Sequence, residues 1–113
     1  MTDRITLTIP ADEPSRGVAT LVIGGVGSRL DLPYERVDDL QLAVLSVLGA
    51  SDGSQVTVEV VADDDAVLVS VGPLAAGSAT NGSLTRVLGP LVDSVTPSPR
   101  GTEEWLTLRL DRP

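Results

Sequence analysis

Three stretches of this chain hold residue types that can do chemistry. Gly24-Gly25-Val26-Gly27-Ser28 has the glycine density of a loop that cradles phosphate with backbone N–H groups. No lysine follows it, Leu30 stands where GxGxxG needs its last glycine, and it lies within a helical apolar pattern rather than after a strand. The spacing therefore predicts glycines that let another backbone pack closely. Asp63-Asp64-Asp65 offers carboxylates, but without the alternating spacing of an EF-hand loop, and reads as a solvated hairpin tip. Glu103 and Glu104 precede a strand and are expected to face solvent. No carboxylate pair is spaced for acid–base work.

The absent residue types narrow the chemistry further. Without Cys or His there is no zinc site of the Cys/His kind, no thiol nucleophile and no Ser-His-Asp triad. Every basic residue is Arg, which removes the P-loop lysine and Schiff-base chemistry. Catalysis would rest on carboxylates, hydroxyls and Arg. A net charge of -8 argues against nucleic acid and against a membrane surface, both of which need a basic footprint. No apolar run reaches the roughly 18 residues that span a bilayer, and no basic-then-apolar leader opens the chain. The expected location is the cytoplasm.

The 113 residues, 42% of them apolar, are expected to form a single domain over 1–113. With no Phe, one Trp and one Tyr, its core must be aliphatic. Ile5, Leu7 and Ile9 alternate with Arg4, Thr6 and Thr8, the pattern of a half-buried strand ended by Pro10. From an N-cap at Ser15, the stripe Val18, Leu21, Val22, Val26 and Leu30 predicts a first helix. Asp31 and Pro33 open a second, with Val37, Leu40, Val44, Val47 and Leu48 as its apolar stripe and Gly49 as its stop. Strands over 56–61 and 66–71 flank the Asp hairpin, and 72–82 reads as a loop. Leu84, Val87, Leu88, Leu91, Val92 and Val95 predict a third helix, kinked or restarted at Pro90, before a last strand through Leu106, Leu108 and Leu110. The order β-α-α-β-β-α-β predicts an α+β two-layer sandwich: a mainly antiparallel four-stranded sheet covered by helices on one face.

From Ile5 to Ala50 the chain also carries a family signature. The strand ending Ile9-Pro10-Ala11, the helix closing on Ser28-Arg29-Leu30, and Asp39-Leu40 leading into Ala43-Val44 resemble the anti-sigma-factor serine/threonine kinases. These belong to the GHKL, or Bergerat-fold, ATPase superfamily with the histidine-kinase-like ATPase domains. The resemblance implies a nucleotide site. In the family a Glu on the second helix activates the attacking hydroxyl, and an Asn four residues on holds magnesium. Here those positions are Ser46 and Ala50. The family's Asp-x-Gly, which reads adenine, is matched by Ser70-Val71-Gly72, and its glycine-rich phosphate loop by Asn81-Gly82-Ser83-Leu84.

With four linked positions altered, the chain is expected to be a degenerate relative: not an enzyme, with no catalytic residue, cofactor or metal. It is expected to act as a regulatory module in bacterial transcription or stress signalling, binding a sigma factor, an anti-sigma-factor antagonist or a sister subunit in a homodimer. The resemblance places partner contacts on the exposed side of the first helix and the start of the second. Arg16, Arg29, Tyr34 and Arg36 are candidates there, because Arg and Tyr are enriched at binding hot spots. Thr20 stands where sigma-binding members often place an Arg. The alternatives are a structural or assembly domain sharing only the fold, or a weak ATP-binding serine/threonine kinase.

Overall fold

The computed structural model describes residues 3–113. In chain order the elements are β1 (Asp3–Pro10), α1 (Arg16–Arg29), α2 (Tyr34–Leu48), β2 (Gln55–Ala62), β3 (Ala66–Leu74), a 3₁₀ turn (Ser78–Thr80), α3 (Gly82–Leu88), β4 (Ser94–Pro97) and β5 (Glu104–Asp111). The strands form one five-stranded sheet in the order β1-β2-β3-β5-β4. Every neighbouring pair is antiparallel. The expected α+β sandwich is present, with five strands where four were expected.

The extra strand comes from residues whose helical spacing continued the third helix. α3 ends at Leu88 with Gly89 as its C-cap, because Pro90 has no N–H to continue the ladder and its ring clashes with the preceding turn. Val95 then pairs with Leu108 across the β4–β5 ladder and packs on the core from the sheet instead of from a helix. β3 also runs further than its alternation predicted, through the cis Gly72–Pro73 peptide to Leu74, and the expected loop is shortened to a 3₁₀ turn.

Alternation along the strands sends Val56, Val58, Val60, Val67, Val69, Val71, Leu106, Leu108 and Leu110 into a common core with α1, α2 and α3. α2 buries Leu40, Ala43, Val44, Val47 and Leu48, close to the predicted stripe. α1 does not follow its prediction. It buries Ala19, Ile23, Val26 and Gly27, while Val18 and Leu21 face solvent at 45% and 77% exposure. Both faces of this helix are apolar, and Ala19 and Gly27 are buried with Ile23 and Val26 while Val18 and Leu21 are left outside.

The turn between α1 and α2 is fixed by backbone bonding. Leu32 N–H donates to the Gly27 carbonyl at 3.0 Å and Asp31 N–H to the Ser28 carbonyl at 3.2 Å, the paired bonds of a Schellman motif. Asp31 takes its left-handed position, at φ 56°, where glycine is usual. Ser15 occupies the N-cap of α1 without capping through its side chain; its own N–H is held by Asp12 Oδ1 at 2.8 Å. Pro33 is the N-cap of α2 rather than a residue of its first turn.

Candidate functional site

The sandwich has two outer surfaces, and they are built differently. On the sheet's outer face the polar groups bond to one another. Thr8 and Thr57 hydroxyls meet at 2.9 Å, Ser70 and Thr107 at 2.9 Å, and Thr107 donates to Ser98 at 2.7 Å. Trp105 lies flat over Gly72, where any Cβ would overlap the indole. Arg100 closes over it, 3.9 Å from the ring centroid, with both terminal nitrogens on the Glu59 carboxylate at 3.3 and 3.2 Å. The indole N–H donates to Glu103 Oε1 at 3.2 Å. Glu104 is not the solvent-facing residue the sequence suggested. Half-buried, it accepts from the N–H groups of Gly77 at 2.6 Å and Ala79 at 3.1 Å, and so holds the 3₁₀ turn.

On the helical layer's outer face, large apolar side chains stand in solvent. Val18 and Leu21 on α1, Tyr34 and Leu42 on α2, and Val87 on α3 are all exposed. Between α1 and α2 runs a cleft of about 560 Å³, lined by Gly24, Ser28, Asp31, Tyr34, Asp38 and Gln41 among others. Its floor is set by the glycines of α1, which let α2 side chains come close. Gln41 Nε2 donates to the Thr20 carbonyl at 2.8 Å and occupies the space a Cβ on Gly24 would need. At Gly27 a Cβ would come 2.5 Å from Val37 Cγ2, so only glycine admits Val37 there. Close packing was expected of this cluster. It holds for Gly24 and Gly27, whereas Gly25 has no neighbour within 4 Å and faces outwards.

The five residues expected to meet a partner do not converge. Tyr34, 79% exposed, stands at the cleft. The Thr20 carbonyl accepts from Gln41 of α2, and the Thr20 hydroxyl donates to the Gly17 carbonyl at 2.8 Å. Arg16 is half-buried at the start of α1. Arg29 sits on the opposite flank of that helix, paired with Asp3 at 3.3 Å. Arg36 is half-buried between Asp93 at 2.9 Å and Asp39 at 3.7 Å, tying α2 to the segment before β4. The cleft residues Asp31, Asp38, Gln41 and the exposed Leu42 were not singled out. Their signal was present as two acids and an amide flanking one helix start, but only the α1–α2 register brings them together.

Of the positions matched to a nucleotide site, Ser46 and Ala50 lie at the end of α2, Asn81 caps α3, and Ser70 lies on the sheet's other face. Ser46 donates to the Leu42 carbonyl at 2.9 Å, and the Ala50 carbonyl accepts from Ala75 N–H at 2.9 Å. Asn81 caps α3, its Oδ1 accepting from Ser83 and Leu84 N–H at 2.8 and 3.4 Å. Ser70 bonds to Thr107 on the sheet face away from α2, so its identity carries no information about a site beside Ser46 and Ala50. Asp63 accepts from the N–H groups of Asp65 and Ala66, which holds its carboxyl below the usual range and fits the hairpin-tip reading. Among the described residues there is no cluster of acids that could hold a metal ion, and no helix is long and apolar enough to cross a membrane.

No family model matches the chain. Curated relatives do: three proteins named serine-protein kinase RsbW, from Listeria monocytogenes strains HCC23, CLIP80459 and F2365, are each 32% identical to it over 79 residues. The alignment covers 63% of this chain and 50% of each relative, so the chain spans about half the length of the proteins it matches. Their names overturn one expectation. The chain was expected not to be an enzyme, and the relatives it matches are named as kinases. The altered motif positions do not restore that expectation, since Ser70 faces away from the others. The likeness is to anti-sigma-factor serine kinases, and it is a distant one.

Proposed function

We propose that this chain forms one regulatory domain of the anti-sigma-factor type, working in the bacterial cytoplasm by binding a protein partner through the outer face of α1 and the start of α2. The carrying observation is the contrast in exposed side chains. Val18, Leu21, Tyr34 and Leu42 present apolar surface around an open cleft, where a domain with no partner would place polar groups. The partner on this reading is a sigma factor, an anti-sigma-factor antagonist or a sister subunit, as the family resemblance implies, and the distant likeness to RsbW kinases supports a protein partner in general. Calorimetric titration of the domain with its host's alternative sigma factors, each expressed singly, tests this. Saturable binding with one of them, weakened at least tenfold by Leu21→Asp, is expected; no binding to any, or binding indifferent to Leu21→Asp, contradicts it.

The kinase names favour a second reading, in which the domain also binds ATP and transfers its terminal phosphoryl group to a serine. ATP with magnesium would then raise the melting temperature, because a ligand of the native state stabilises it.

A further inference from the structure

The α1–α2 cleft carries charge of one sign. Asp31 and Asp38 are its only charged lining residues, and among the described residues neither has an ion-pair partner. The cations nearest in sequence are engaged elsewhere, Arg29 by Asp3 and Arg36 by Asp93 and Asp39. Tyr34 stands at the rim with its ring in solvent, and Ser28 and Gln41 add polar atoms to the walls.

Apolar surface adjoins this acidic recess. The bond from Gln41 to the Thr20 carbonyl puts the next residue of each helix, Leu21 and Leu42, on the outward side of the same seam, at 77% and 54% exposure. Along α1, Gly17, Leu21 and Gly25 follow at four-residue spacing on one outward ridge, and neither glycine has a neighbour within 4 Å. Gly25, in the helix interior, costs the helix about 1 kcal/mol relative to alanine, and no contact among the described residues offsets it. A single leucine between two flat positions is a shape that another helix backbone can approach closely.

Resting on the reading of the domain as a protein-binding module, we propose that the partner element is a basic amphipathic helix: its aliphatic face covers Leu21 and Leu42, and one of its Arg or Lys side chains enters the cleft. The cationic head there meets the Asp31 and Asp38 carboxylates and the face of Tyr34, while the partner backbone crosses α1 at Gly25. Charge complementarity selects this occupant, since an acidic helix would bring like charge into a recess that holds no cation. Arg suits the recess best, because its planar head can bond to carboxylates while stacking on an aromatic ring.

The test uses a fluorescent amphipathic peptide with leucines on one face and arginines beside them, a matched peptide with glutamates in place of the arginines, and the whole domain. The arginine peptide is expected to bind saturably and the glutamate peptide not to. The double variant Asp31→Asn/Asp38→Asn is expected to lose at least tenfold in affinity. Asparagine tolerates the left-handed backbone at position 31, so that variant keeps its fold. Asp64→Asn/Asp65→Asn removes the same charge from the hairpin tip and is expected to change affinity by less than twofold. Equal losses in the two double variants would mean only a long-range field, and would overturn the proposal; so would equal binding of the two peptides. Sigma-factor binding that survives Asp31→Asn/Asp38→Asn overturns the cleft inference and leaves the module reading standing. Specific peptide binding at the cleft without any sigma-factor binding supports the cleft inference and overturns the assignment of a sigma factor as its partner.

Discussion

The outer face of the sheet and the outer face of the helical layer are both open to solvent, yet only the first is chemically closed. On the sheet, hydroxyls pair with hydroxyls across strands, and the largest apolar group, Trp105, is 5% exposed beneath Arg100. On the helices, Leu21 and Tyr34 are more than three-quarters exposed, and two aspartates line a cleft with no ion-pair partner among the described residues. On the proposed function, the difference separates what holds the fold from what remains for a partner. Interactions satisfied within the chain contribute to its stability, whereas exposed apolar area and unpaired charge contribute when something covers them.

Disrupting the closed face should therefore cost stability and spare binding. The largest effect is expected for Gly72→Val, whose side chain cannot coexist with the indole of Trp105. Overpacking of this kind costs about 3 kcal/mol, visible as a lower urea midpoint and a red-shifted Trp105 emission. Partner affinity of the folded fraction should be unchanged; a loss of affinity would break the division between the two faces.

Arg100→Ala removes one cation–π contact and an ion pair with Glu59 that is partly exposed. About 1 kcal/mol of stability should go, most of it from the ring contact because solvent screens the pair. Acrylamide should then quench Trp105 more readily.

A smaller effect is expected at the hairpin that joins β2 to β3. The Asp63 carboxyl is held below its ordinary value by the N–H groups of Asp65 and Ala66. A carboxylate whose folded value is depressed stabilises the fold above its unfolded value, near pH 4, and this is lost as pH falls through the folded value. Asp63→Asn keeps an acceptor oxygen but cannot titrate, so its denaturation midpoint should fall less steeply than the wild type's over that acid range.

Smallest of all is Leu21→Ser. If this side chain does nothing for the isolated domain, stability should stay within about 0.5 kcal/mol. A loss of 2 kcal/mol or so, the size expected of a buried leucine, would show that the helical face is closed after all.

The alternation of Ile5, Leu7 and Ile9, and of Leu106, Leu108 and Leu110, made the strands legible, since a period of two has one physical meaning in a half-buried sheet. α1 was harder. Hydrophobic spacing favours the large residues Val18 and Leu21, but the buried face is set by how close α2 and the sheet come, and closeness selects Ala19 and Gly27. The same rule explains the glycine cluster, whose members serve three different surroundings that only the packed helices distinguish. β4 was hidden because Val92 and Val95 fit helical spacing as well as a strand, and only the break at Gly89-Pro90 decides between them. Glu104 could not be placed from its neighbours, since the N–H groups it holds lie more than two dozen residues earlier in the chain. The cleft was the least legible feature. Asp31, Asp38 and Gly24 are ordinary residues individually, and their meaning lies in the register of two helices.

The central claim is that a partner lands on the helical layer and not on the sheet. Hydrogen–deuterium exchange of the domain, alone and saturated with a sigma factor that binds it, tests this most directly. Added protection is expected in α1 and in the first half of α2, with the peptides of β2, β3 and β5 unchanged. Protection confined to the sheet strands, with α1 and α2 exchanging as in the free domain, would contradict it.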